Sequence, residues 1–405
     1  MAYGIHSRLH TTNQLRAHIN MQQHPLTPFG TAPVRVAIVG AGPAGSATAI
    51  ALCNALAEQK RDDIEVCIFH RTTAKRWPLG ETIPPAASAV LRELQLPGLL
   101  HSGRHLPCPG SLSVWGGEKA QANDFLLDLS GSGYHLDRED FDSGLLHEAQ
   151  KRGTKVHSDY SLRHLLSKPL SDEGGFTLMF ATPEGEQQLD ADFVVDASGQ
   201  GAAVMRRLDI ARNQLDEVIS LYTRIALADH NTLPQHTLLE ATADGWWYLS
   251  AVPGGDCVLS LTTDAQQLKA KNLDKPDQWQ HAYTQAKWLN QFLSAQQLNH
   301  YPLRQAPARS AILSNCVGSH WLAVGDAACS FDSISSAGIT NALIQGLWAG
   351  QALAAYFIDV NRTALAAYQD KVFARFNQYV GVRSYLYAQE TRFPTEGFWQ
   401  RRRLG

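Results

Sequence analysis

The sequence predicts an α/β protein with a Rossmann-like dinucleotide-binding domain, a second domain built on an antiparallel sheet, and a helical C-terminal region. The first observation is an apolar run, Val34–Val39, followed directly by a glycine-rich turn and a helical pattern. The second is a series of short, turn-bounded, strand-like runs within residues 210–303, interrupted by one helical pattern at Asp277–Ala295. The third is the helical pattern that continues after Gly350 to about Tyr379.

Length and composition exclude several classes of protein. The chain has 405 residues, more than one hydrophobic core usually organises, so two subdomains are expected. The net charge of −3 provides no polybasic surface for nucleic acid. Six cysteines occur without a CxxC pair, so neither a disulfide framework nor a metal site is expected. Because the N-terminal residues lack the apolar segment of a secretory signal, we expect a cytoplasmic protein.

One segment has the length of a membrane span. Val36–Ala57 comprises 22 residues without a charge, and a spanning helix needs about 20. Its start contains three glycines and Pro43, and an alanine-rich stretch follows. A strand, a tight turn and a small-residue helix explain this pattern better, so we expect no membrane span.

The glycine-rich turn reads Gly40-x-Gly42-x-x-Gly45, with Pro43 and Ala44 between the last two glycines. In such turns the first glycine permits the tight bend, the second lets the backbone approach a pyrophosphate, and the third lets helix and strand pack closely. The helix N-terminus then faces the phosphate charge. Strand–turn–helix context makes this a stronger signal than the glycines alone.

The second strand is expected at Ile64–Arg71. An acidic residue at the end of this strand usually binds the ribose hydroxyls of a dinucleotide. Here His70 takes that position, and a neutral imidazole can make one such hydrogen bond. Arg71 follows and could reach a phosphate.

Three later segments indicate which dinucleotide is bound. The first, "GYHLDREDFDSGLLHEAQKRG", predicts a short strand and an amphipathic helix at Phe141–Lys151. The second is an apolar strand that ends in Asp196-Ala-Ser-Gly199. The third is a strand, Trp321–Val324, which runs into Gly325-Asp326 and a Ser/Gly-rich turn before a long helix.

Together these motifs resemble the single-Rossmann FAD proteins related to aromatic hydroxylases, tryptophan halogenases and geranylgeranyl reductases. The resemblance extends over roughly residues 34–350, with four separated motifs in the right order. It implies a Rossmann-like FAD-binding domain of the aromatic-hydroxylase type. In that family the glycine turn binds the FAD pyrophosphate, an arginine at the position of Arg138 contacts the cofactor, and the aspartate at the position of Asp326 binds the ribityl chain. The turn Ser335–Ile339 would place a helix N-terminus beside the flavin ring, where its positive dipole end stabilises a reduced flavin anion.

Two further stretches narrow the resemblance to the LodB/GoxB-type flavoproteins. The first is Gly80-Glu81-Thr82, and the second is "GWWYLSAVP". Proteins of that type modify a tryptophan of a partner oxidase or dehydrogenase precursor while its tryptophylquinone cofactor is built. The resemblance therefore implies an FAD-dependent monooxygenase that hydroxylates a tryptophan side chain of a precursor protein. The co-substrate would be O₂. NAD(P)H as electron donor would need a shallow or transient site, because the sequence has no second nucleotide fingerprint.

The candidate site combines these motifs with the aromatic strand. Strand alternation places Trp246 and Tyr248 on one face, which we assign to substrate, and Trp247 on the other, in the core. Glu81 is the nearest acidic candidate for catalysis, although a structural role in its loop is equally compatible with the sequence. The residues expected to bind FAD are Gly40, Gly42, Pro43, Ala44, Gly45, His70, Arg71, Glu81, Thr82, Arg138, Asp196, Ser198, Gly199, Asp326, Ser335, Ser336, Gly338 and Ile339.

Three competing functions remain compatible with the sequence, and the first is halogenation. Halogenases of this group place a lysine a short distance after the Gly-Glu loop, and the first lysine after that loop here is Lys119. Their aromatic strand pattern also differs, since here Tyr248 fills the second aromatic place and Val252 replaces an isoleucine. The second function is hydroxylation of a free small aromatic compound, and the third is that of a non-catalytic flavin-binding maturation chaperone.

The predicted domain organisation follows from these assignments. Residues 1–33 would form a flexible N-terminal arm. The FAD-binding domain would comprise residues 34–105, 131–209 and 304–350. The substrate domain would comprise residues 106–130 and 210–303. A helical region and tail would complete the chain at residues 351–405.

Overall fold

A computed structural model describes residues 33–72, 80–125, 131–169, 174–227, 233–298 and 301–403. The predicted N-terminal arm therefore lies outside the described residues except for its last position. Within the described part, the α/β fold class that the sequence predicts is confirmed. The strands, in chain order, are β1 (Val34–Val39), β2 (Ile64–His70), β3 (Thr82–Ile83), β4 (Leu106–Cys108), β5 (Gly110–Val114), β6 (Gln121–Asp124), β7 (Gly133–His135), β8 (Lys155–Ser158), β9 (Ser161–Ser167), β10 (Phe176–Thr182), β11 (Gly185–Ala191), β12 (Phe193–Asp196), β13 (Arg212–Gln214), β14 (Val218–Ala226), β15 (Thr237–Thr242), β16 (Gly245–Val252), β17 (Asp256–Asp264), β18 (Arg304–Pro307), β19 (Ala311–Leu313), β20 (Trp321–Ala323) and β21 (Cys329–Ser330).

The helix expected at Phe141–Lys151 begins earlier in the structure than the sequence predicts. Asp137 caps the helix that was expected from Phe141, because its carboxylate accepts hydrogen bonds from the backbone N–H groups of Glu139 and Asp140. This helix therefore begins at Arg138. The helices are α1 (Pro43–Glu58), α2 (Ala86–Glu93), α3 (Arg138–Lys151), α4 (Ala265–Lys271), α5 (Pro276–Tyr283), α6 (Gly338–Ile358), α7 (Thr363–Gln389) and α8 (Gly397–Arg403).

A parallel sheet forms the base of the nucleotide-binding half. Its strand order is β20-β12-β1-β2-β8, and every pairing in it is parallel. The central strand β1 is almost wholly apolar and buried, as expected for a strand covered on both faces. Ligands of such sheets bind at the carboxyl ends of the strands. The turns after β1, β12 and β20 meet at that edge.

Helices α1 and α6 pack closely against each other, and this packing holds their N-terminal ends together. A Cβ on Gly346 would lie 2.6 Å from the Cβ of Ala47, and one on Gly350 would lie 2.5 Å from the Cβ of Ala51. Only glycine permits this approach. The N-termini of the two helices are consequently held at the same edge of the parallel sheet.

A seven-stranded sheet forms the other half, with strand order β18-β14-β17-β16-β15-β5-β6. One face, which we call the Trp247 face, packs Trp247 and Leu249 into an apolar cluster with Trp279 and Tyr283 of α5. The opposite face, which we call the Tyr248 face, carries Trp246, Tyr248 and Ser250. Cross-strand pairing adds further residues to the Tyr248 face, namely Tyr222, Arg224, Ser260 and Thr262.

The seven-stranded sheet includes strands from three parts of the chain, which can be compared with the predicted domain boundaries. Residues 110–124 join the strands of 218–264 in the seven-stranded sheet, although they are distant in sequence. Strand β18, which the sequence predicts as part of the FAD-binding domain, pairs with β14 of the same sheet. The boundaries themselves stay a prediction.

The helix expected at Asp277–Ala295 is shorter in the structure, since α5 ends at Tyr283. The carboxylate of Glu240 accepts hydrogen bonds from the backbone N–H groups of Trp288, at 3.1 Å, and Leu289, at 2.9 Å. These contacts start a separate 3₁₀ turn at Leu289–Gln291. The segment that follows α5 is thus held by a tertiary contact with β15 that local sequence patterns do not reveal.

The C-terminal region packs onto the Tyr248 face. Helix α7 extends ten residues beyond the predicted end at Tyr379, to Gln389. The side chains of Phe398 and Trp399 in α8 are fully buried against Trp246 and Tyr387. Among the described helices, none combines the length and apolar character that crossing a bilayer requires.

Candidate flavin site

The glycine turn after β1 has the geometry of a dinucleotide loop. Gly40 has φ of +121°, and a Cβ there would lie 2.2 Å from the carbonyl oxygen of Ala197. A Cβ on Gly45 would lie 2.1 Å from the carbonyl oxygen of Gly40. Gly42 differs, because no atom lies within 4 Å of a Cβ placed there. The first and third glycines thus serve packing, while the second faces open space.

The start of α1 is suited to an anion. Gly42 is the N-cap, Pro43 occupies the first turn, and no side chain caps the helix. The first turn also carries no acidic residue. Backbone N–H groups and the positive end of the helix dipole at this position favour a phosphate. Ala44 lies one residue inside the helix and contacts the Gly-Asp turn.

Asp326 is positioned by the residue before it. Gly325 has φ of +62°, its N–H donates to Oε1 of Gln345 at 2.9 Å, and a Cβ on it would lie 2.6 Å from the Cβ of Ala44. The Gly-Asp turn therefore abuts the start of α1. Burial raises the pKa of the Asp326 carboxyl, and the nearby Arg212 guanidinium opposes that effect. A hydroxyl-bearing ligand that donates hydrogen bonds would stabilise this carboxylate.

The turn that precedes α6 forms a second helix N-terminus at the same edge. Asp332 accepts a 3.1 Å hydrogen bond from the N–H of Ile334, and its backbone carbonyl oxygen accepts a 3.0 Å hydrogen bond from the Ser335 hydroxyl. Ser336 then adopts a left-handed conformation with φ of +47°. Helix α6 begins at Gly338 with no side-chain cap and no acidic residue in its first turn. No atom lies within 4 Å of a Cβ on Gly338.

The Gly-Glu loop lies between Arg138 and the start of α6. Nη1 of Arg138 donates to the carbonyl oxygen of Gly80 at 3.1 Å, and Nη2 pairs with Oδ2 of Asp142 at 2.8 Å. A Cβ on Gly80 would lie 3.7 Å from Nη1 of Arg138 and 4.0 Å from Cδ1 of Ile339. Three segments far apart in sequence therefore meet here, namely the loop, the start of α3 and the start of α6.

Glu81 is buried, with 7% of its surface exposed. Its Oε2 accepts a 3.2 Å hydrogen bond from the N–H of Gly80. Burial raises the pKa of its carboxyl, although Arg138 and Arg224 oppose the shift. A carboxyl group held neutral can donate a proton or a hydrogen bond, which is what a general acid needs. Its catalytic role stays a prediction.

The loop after β12 is organised by Asp196. Oδ1 of Asp196 accepts from the N–H and hydroxyl of Ser198, at 3.0 and 2.6 Å. Oδ2 accepts from the N–H groups of Val204 and Met205, at 2.8 and 2.9 Å. The carboxylate thus orders the loop that includes Gly199. Contacts of Asp196, Ser198 and Gly199 with a cofactor stay predictions.

His70 and Arg71 lie at the carboxyl end of β2, where the sequence predicts the ribose. Nε2 of His70 lies 3.1 Å from the Ser158 hydroxyl, so one ring nitrogen engages the neighbouring strand. Arg71 is exposed. Neither feature tests ribose or phosphate binding, which stays a prediction.

The residues at this edge fit an FAD molecule. Two uncapped helix N-termini lie at the edge of the sheet, where the diphosphate and the flavin ring would each meet a positive end. Buried polar atoms without a protein partner occur in both regions, at Oε1 of Gln200 beside Asp326 and at Oγ1 of Thr340 in the first turn of α6. Such atoms usually mark a ligand or water contact. FAD supplies hydroxyl, phosphate and ring acceptor groups for both kinds of site.

The aromatic strand β16 divides its side chains as alternation requires. Trp247 is fully buried on the Trp247 face, with its ring 5.2 Å from that of Trp279. Tyr248 is half-buried, and its hydroxyl lies 3.1 Å from that of Thr82 in the Gly-Glu loop. Trp246 is only 2% exposed, because Tyr387 and Trp399 cover it. The contact of Trp246 and Tyr248 with substrate stays a prediction.

Sequence reasoning missed two groups of residues near this site. One is His135, which is fully buried and contacts Thr82 and Ser250. The other is a buried network around Asp332. Its Oδ2 accepts a 2.7 Å hydrogen bond from Tyr387, and Arg383 bridges it to Asp216. Neither group forms a local motif, since the partners are brought together only by the fold.

The chain matches the tryptophan halogenase family over residues 118–404. This chain belongs to the tryptophan halogenase family. It is 27% identical to the FAD-dependent oxidoreductase LodB of Marinomonas mediterranea, over 90% of this chain and 95% of LodB. The resemblance to LodB/GoxB-type flavoproteins is therefore confirmed, as is the prediction of a flavin-dependent oxidoreductase.

Two solved structures are similar to this chain. Peptidyl tryptophan dihydroxylase QhpG, essential for tryptophylquinone cofactor biogenesis, is 25% identical, with a TM-score of 0.73 over 92% of this chain and 79% of QhpG. The flavin-dependent halogenase CmlS is 21% identical, with a TM-score of 0.77 over 93% of this chain and 68% of CmlS. The second match shows the fold alone.

The lysine expected of a halogenase is not found at the corresponding place. Residues 83–118 contain no lysine. Lys119 is exposed in the turn between β5 and β6.

Proposed function

We propose that this family member is an FAD-dependent monooxygenase that hydroxylates a tryptophan side chain of a precursor protein during formation of a cysteine tryptophylquinone or related quinone cofactor. The observation that carries the proposal is the combination of similarity to LodB over nearly its whole length with a Gly-Glu loop that no lysine follows until the exposed Lys119. The similarity to QhpG, whose substrate is a peptidyl tryptophan, supports the same chemistry.

The described residues have distinct tasks in this proposal. The start of α1 would bind the diphosphate, Asp326 the ribityl chain, and the start of α6 the flavin ring. Arg138 would hold the Gly80 carbonyl and thereby the loop that borders the ring. Bound FAD would supply the redox chemistry that activates O₂. One oxygen atom would enter the indole and the other would leave as water, with two electrons from an external donor.

The Tyr248 face would form the wall opposite the Gly-Glu loop. Glu81 interacts electrostatically with Arg224 and with Tyr248, which both project from this face. The face therefore looks towards the loop rather than towards solvent. The half-buried Tyr248 and the buried Glu81 carboxyl group, held away from bulk water, would orient an electron-rich ring for oxygen transfer.

The partner in this proposal is the precursor of a quinone-cofactor oxidase or dehydrogenase. NAD(P)H is proposed as the source of electrons. A cavity of about 440 Å³ beside the Asp196 loop is lined by Arg206, Arg212 and Arg309, and guanidinium groups suit the phosphates of such a donor. Exchange of Arg206 and Arg309 for glutamine should raise the KM for NADPH or NADH without changing the affinity for FAD. An unchanged KM would place the donor elsewhere.

We also place the protein in the cytoplasm. Within the described part of the chain, all six cysteines are buried free thiols, as suits a reducing compartment. Fractionation of cells that produce the protein should recover it with cytoplasmic markers.

The test is mass spectrometry of a precursor protein after incubation with the FAD-loaded protein, a reductant and O₂. Addition of one or two oxygen atoms to a tryptophan supports the proposal. Asp326→Ala is the matched negative control, because it removes the proposed ribityl contact. If the wild-type protein binds FAD and consumes the reductant but adds no oxygen to the precursor, the proposed function is contradicted.

The same experiment separates the competing functions. Chloride or bromide in the reaction would give a halogenated product if the protein were a halogenase. Oxygen addition to free tryptophan or indole, but not to the precursor, would favour a small-molecule hydroxylase. Stable binding of the precursor without any mass gain would favour a maturation chaperone.

A further inference from the structure

A hydrogen-bond network links Tyr248 to the buried His135. Oγ1 of Thr82 lies 2.8 Å from Nδ1 of His135 and 3.1 Å from the hydroxyl oxygen of Tyr248. Nε2 of His135 lies 2.7 Å from the carbonyl oxygen of Gln235. The Ser250 hydroxyl lies 3.1 Å from Nδ1 of His135 and 3.0 Å from the carbonyl oxygen of Ala251.

The chemistry of these groups fixes the direction of each hydrogen bond. A backbone carbonyl only accepts, so Nε2 of His135 must carry a proton and donate to Gln235. His135 is fully buried without an acidic partner in its network, so the ring is neutral and Nδ1 is an acceptor. Nδ1 has one lone pair, and the Thr82 hydroxyl is nearer to it than that of Ser250.

The remaining hydroxyl protons follow from this. Ser250 can donate to the carbonyl oxygen of Ala251, whereas the proton of Thr82 is used on His135. The Thr82 oxygen can then only accept from Tyr248. The proton of Tyr248 therefore points into the network, and its oxygen keeps lone pairs for another partner.

We propose that His135, acting through Thr82, positions the Tyr248 hydroxyl as a hydrogen-bond acceptor for the indole N–H of the substrate tryptophan. This inference rests on the proposed function for the identity of the substrate. An indole has one donor and no acceptor, so an oriented acceptor distinguishes it from rings that lack an N–H. His135 and Thr82 are positioning residues, and Tyr248 is the residue that contacts substrate.

The first test compares binding of two peptides to the FAD-loaded protein. One peptide contains tryptophan, and the other contains 3-benzothienylalanine, which has a similar shape but no N–H. The tryptophan peptide should bind about five- to ten-fold more tightly, as one hydrogen bond provides. This preference should disappear in Tyr248→Phe and shrink in Thr82→Val, since a released hydroxyl can turn its proton outward.

Tyr283→Phe is the matched control. Its hydroxyl is buried beneath the Trp247 face and donates to the carbonyl oxygen of Leu293 at 2.9 Å. The preference should survive this substitution. A preference that persists in Tyr248→Phe would overturn the inference while leaving the proposed function intact.

The second test needs no substrate. In ¹⁵N-histidine NMR of the FAD-loaded protein, with His135→Gln used for assignment, His135 should be a neutral ring protonated at Nε2 at neutral pH. A ring protonated at Nδ1, or a charged ring, would overturn the inference. If neither peptide binds nor is oxidised by the wild-type protein, the proposed function and the inference fail together, whatever the histidine signal shows.

Discussion

The hydroxyl of Tyr387 donates a 2.7 Å hydrogen bond to Oδ2 of Asp332. This contact joins the long C-terminal helix α7 to the turn that precedes α6. The same hydroxyl accepts a 3.2 Å hydrogen bond from Nε1 of Trp246 in β16. The Tyr387 hydroxyl therefore connects helix α7 both to the turn before α6 and to the aromatic strand β16.

Tyr387→Phe should therefore weaken FAD binding. Asp332 shapes the turn Ser333–Ser335, and loss of one donor to a buried carboxylate costs about 1.5–3 kcal/mol. We expect the Kd for FAD to rise about ten-fold, measured by flavin fluorescence. Tyr356→Phe removes a hydroxyl contact between the far end of α6 and Ser319, and it should leave the Kd unchanged. If Tyr387→Phe and Tyr356→Phe raised the Kd for FAD equally, the weaker binding would result from general destabilisation of the fold and not from the contact with Asp332.

Gly42→Ala and Gly45→Ala should act on different properties. A methyl group at position 42 meets no protein atom, so the flavin-free protein should unfold within about 0.5 kcal/mol of wild type. The methyl group would occupy the place proposed for the diphosphate, so FAD binding should be at least ten-fold weaker. Gly45→Ala should instead destabilise the flavin-free fold, because its Cβ would overlap the Gly40 carbonyl. Thermal unfolding and FAD titration of both variants distinguish the two outcomes.

Glu81→Gln should stabilise the flavin-free protein near neutral pH. Burial raises the pKa of this carboxyl above its unfolded value of 4.5. The unfolded state therefore releases a proton at a lower pH than the folded state, and stability decreases as pH rises above about 4.5. This decrease should be smaller in Glu81→Gln, as measured by urea unfolding across pH. Parallel pH profiles of variant and wild type would mean that the carboxyl is ionised at no cost.

His135 should give a pH dependence of the opposite sign. Burial lowers its pKa below the unfolded value of 6.5, and neighbouring His236 lowers it further. Below about pH 6.5 the His135 ring binds a proton more readily in the unfolded state than in the folded state. The free energy of unfolding therefore decreases as pH falls. The fall between about pH 6.5 and 5 should be shallower in His135→Gln than in wild type. A steeper fall in the variant would contradict the neutral buried ring.

Separate substitutions of Trp246 and Trp247 test which face of the aromatic strand β16 serves the substrate and which serves the core. Trp246→Phe should reduce oxygen addition to substrate, because it removes the hydrogen bond from Nε1 of Trp246 to the Tyr387 hydroxyl, which in turn binds Asp332 in the turn before α6. Trp247→Phe should lower stability by about 1–2 kcal/mol through lost packing, without reducing turnover per folded molecule. Its indole N–H has no hydrogen-bond partner, so the substitution leaves no acceptor unpaired. Impaired turnover in Trp247→Phe alone would reverse the assignment of the faces.

The sequence predicted those parts of the fold that depend on local patterns. The turn Gly40–Gly45 could be recognised because its three glycines, at a fixed spacing, directly follow an apolar run and precede a helical pattern. Alternation likewise predicted that Trp247 would separate from Trp246 and Tyr248. The contact of Glu240 with the segment after α5 could not be predicted, because Glu240 lies on a strand that is distant in sequence.

The same limit applies to the candidate site. Asp326 and Arg138 were found through motifs that a family shares. The roles of His135 and Asp332 depend on partners more than 40 residues away, such as Ser250 and Tyr387. A buried histidine or aspartate in a single sequence carries no signal that tells which distant hydroxyl will meet it.

The close packing of α1 on α6 sets the order of events during synthesis of the chain. Gly42 leaves the ribosome early, but the helix that holds its turn in place extends to Ile358. Domains generally fold as units once their residues are available. We therefore expect the nucleotide-binding edge to be completed only when most of the chain has been made, and FAD to bind an almost finished polypeptide rather than a nascent N-terminal half.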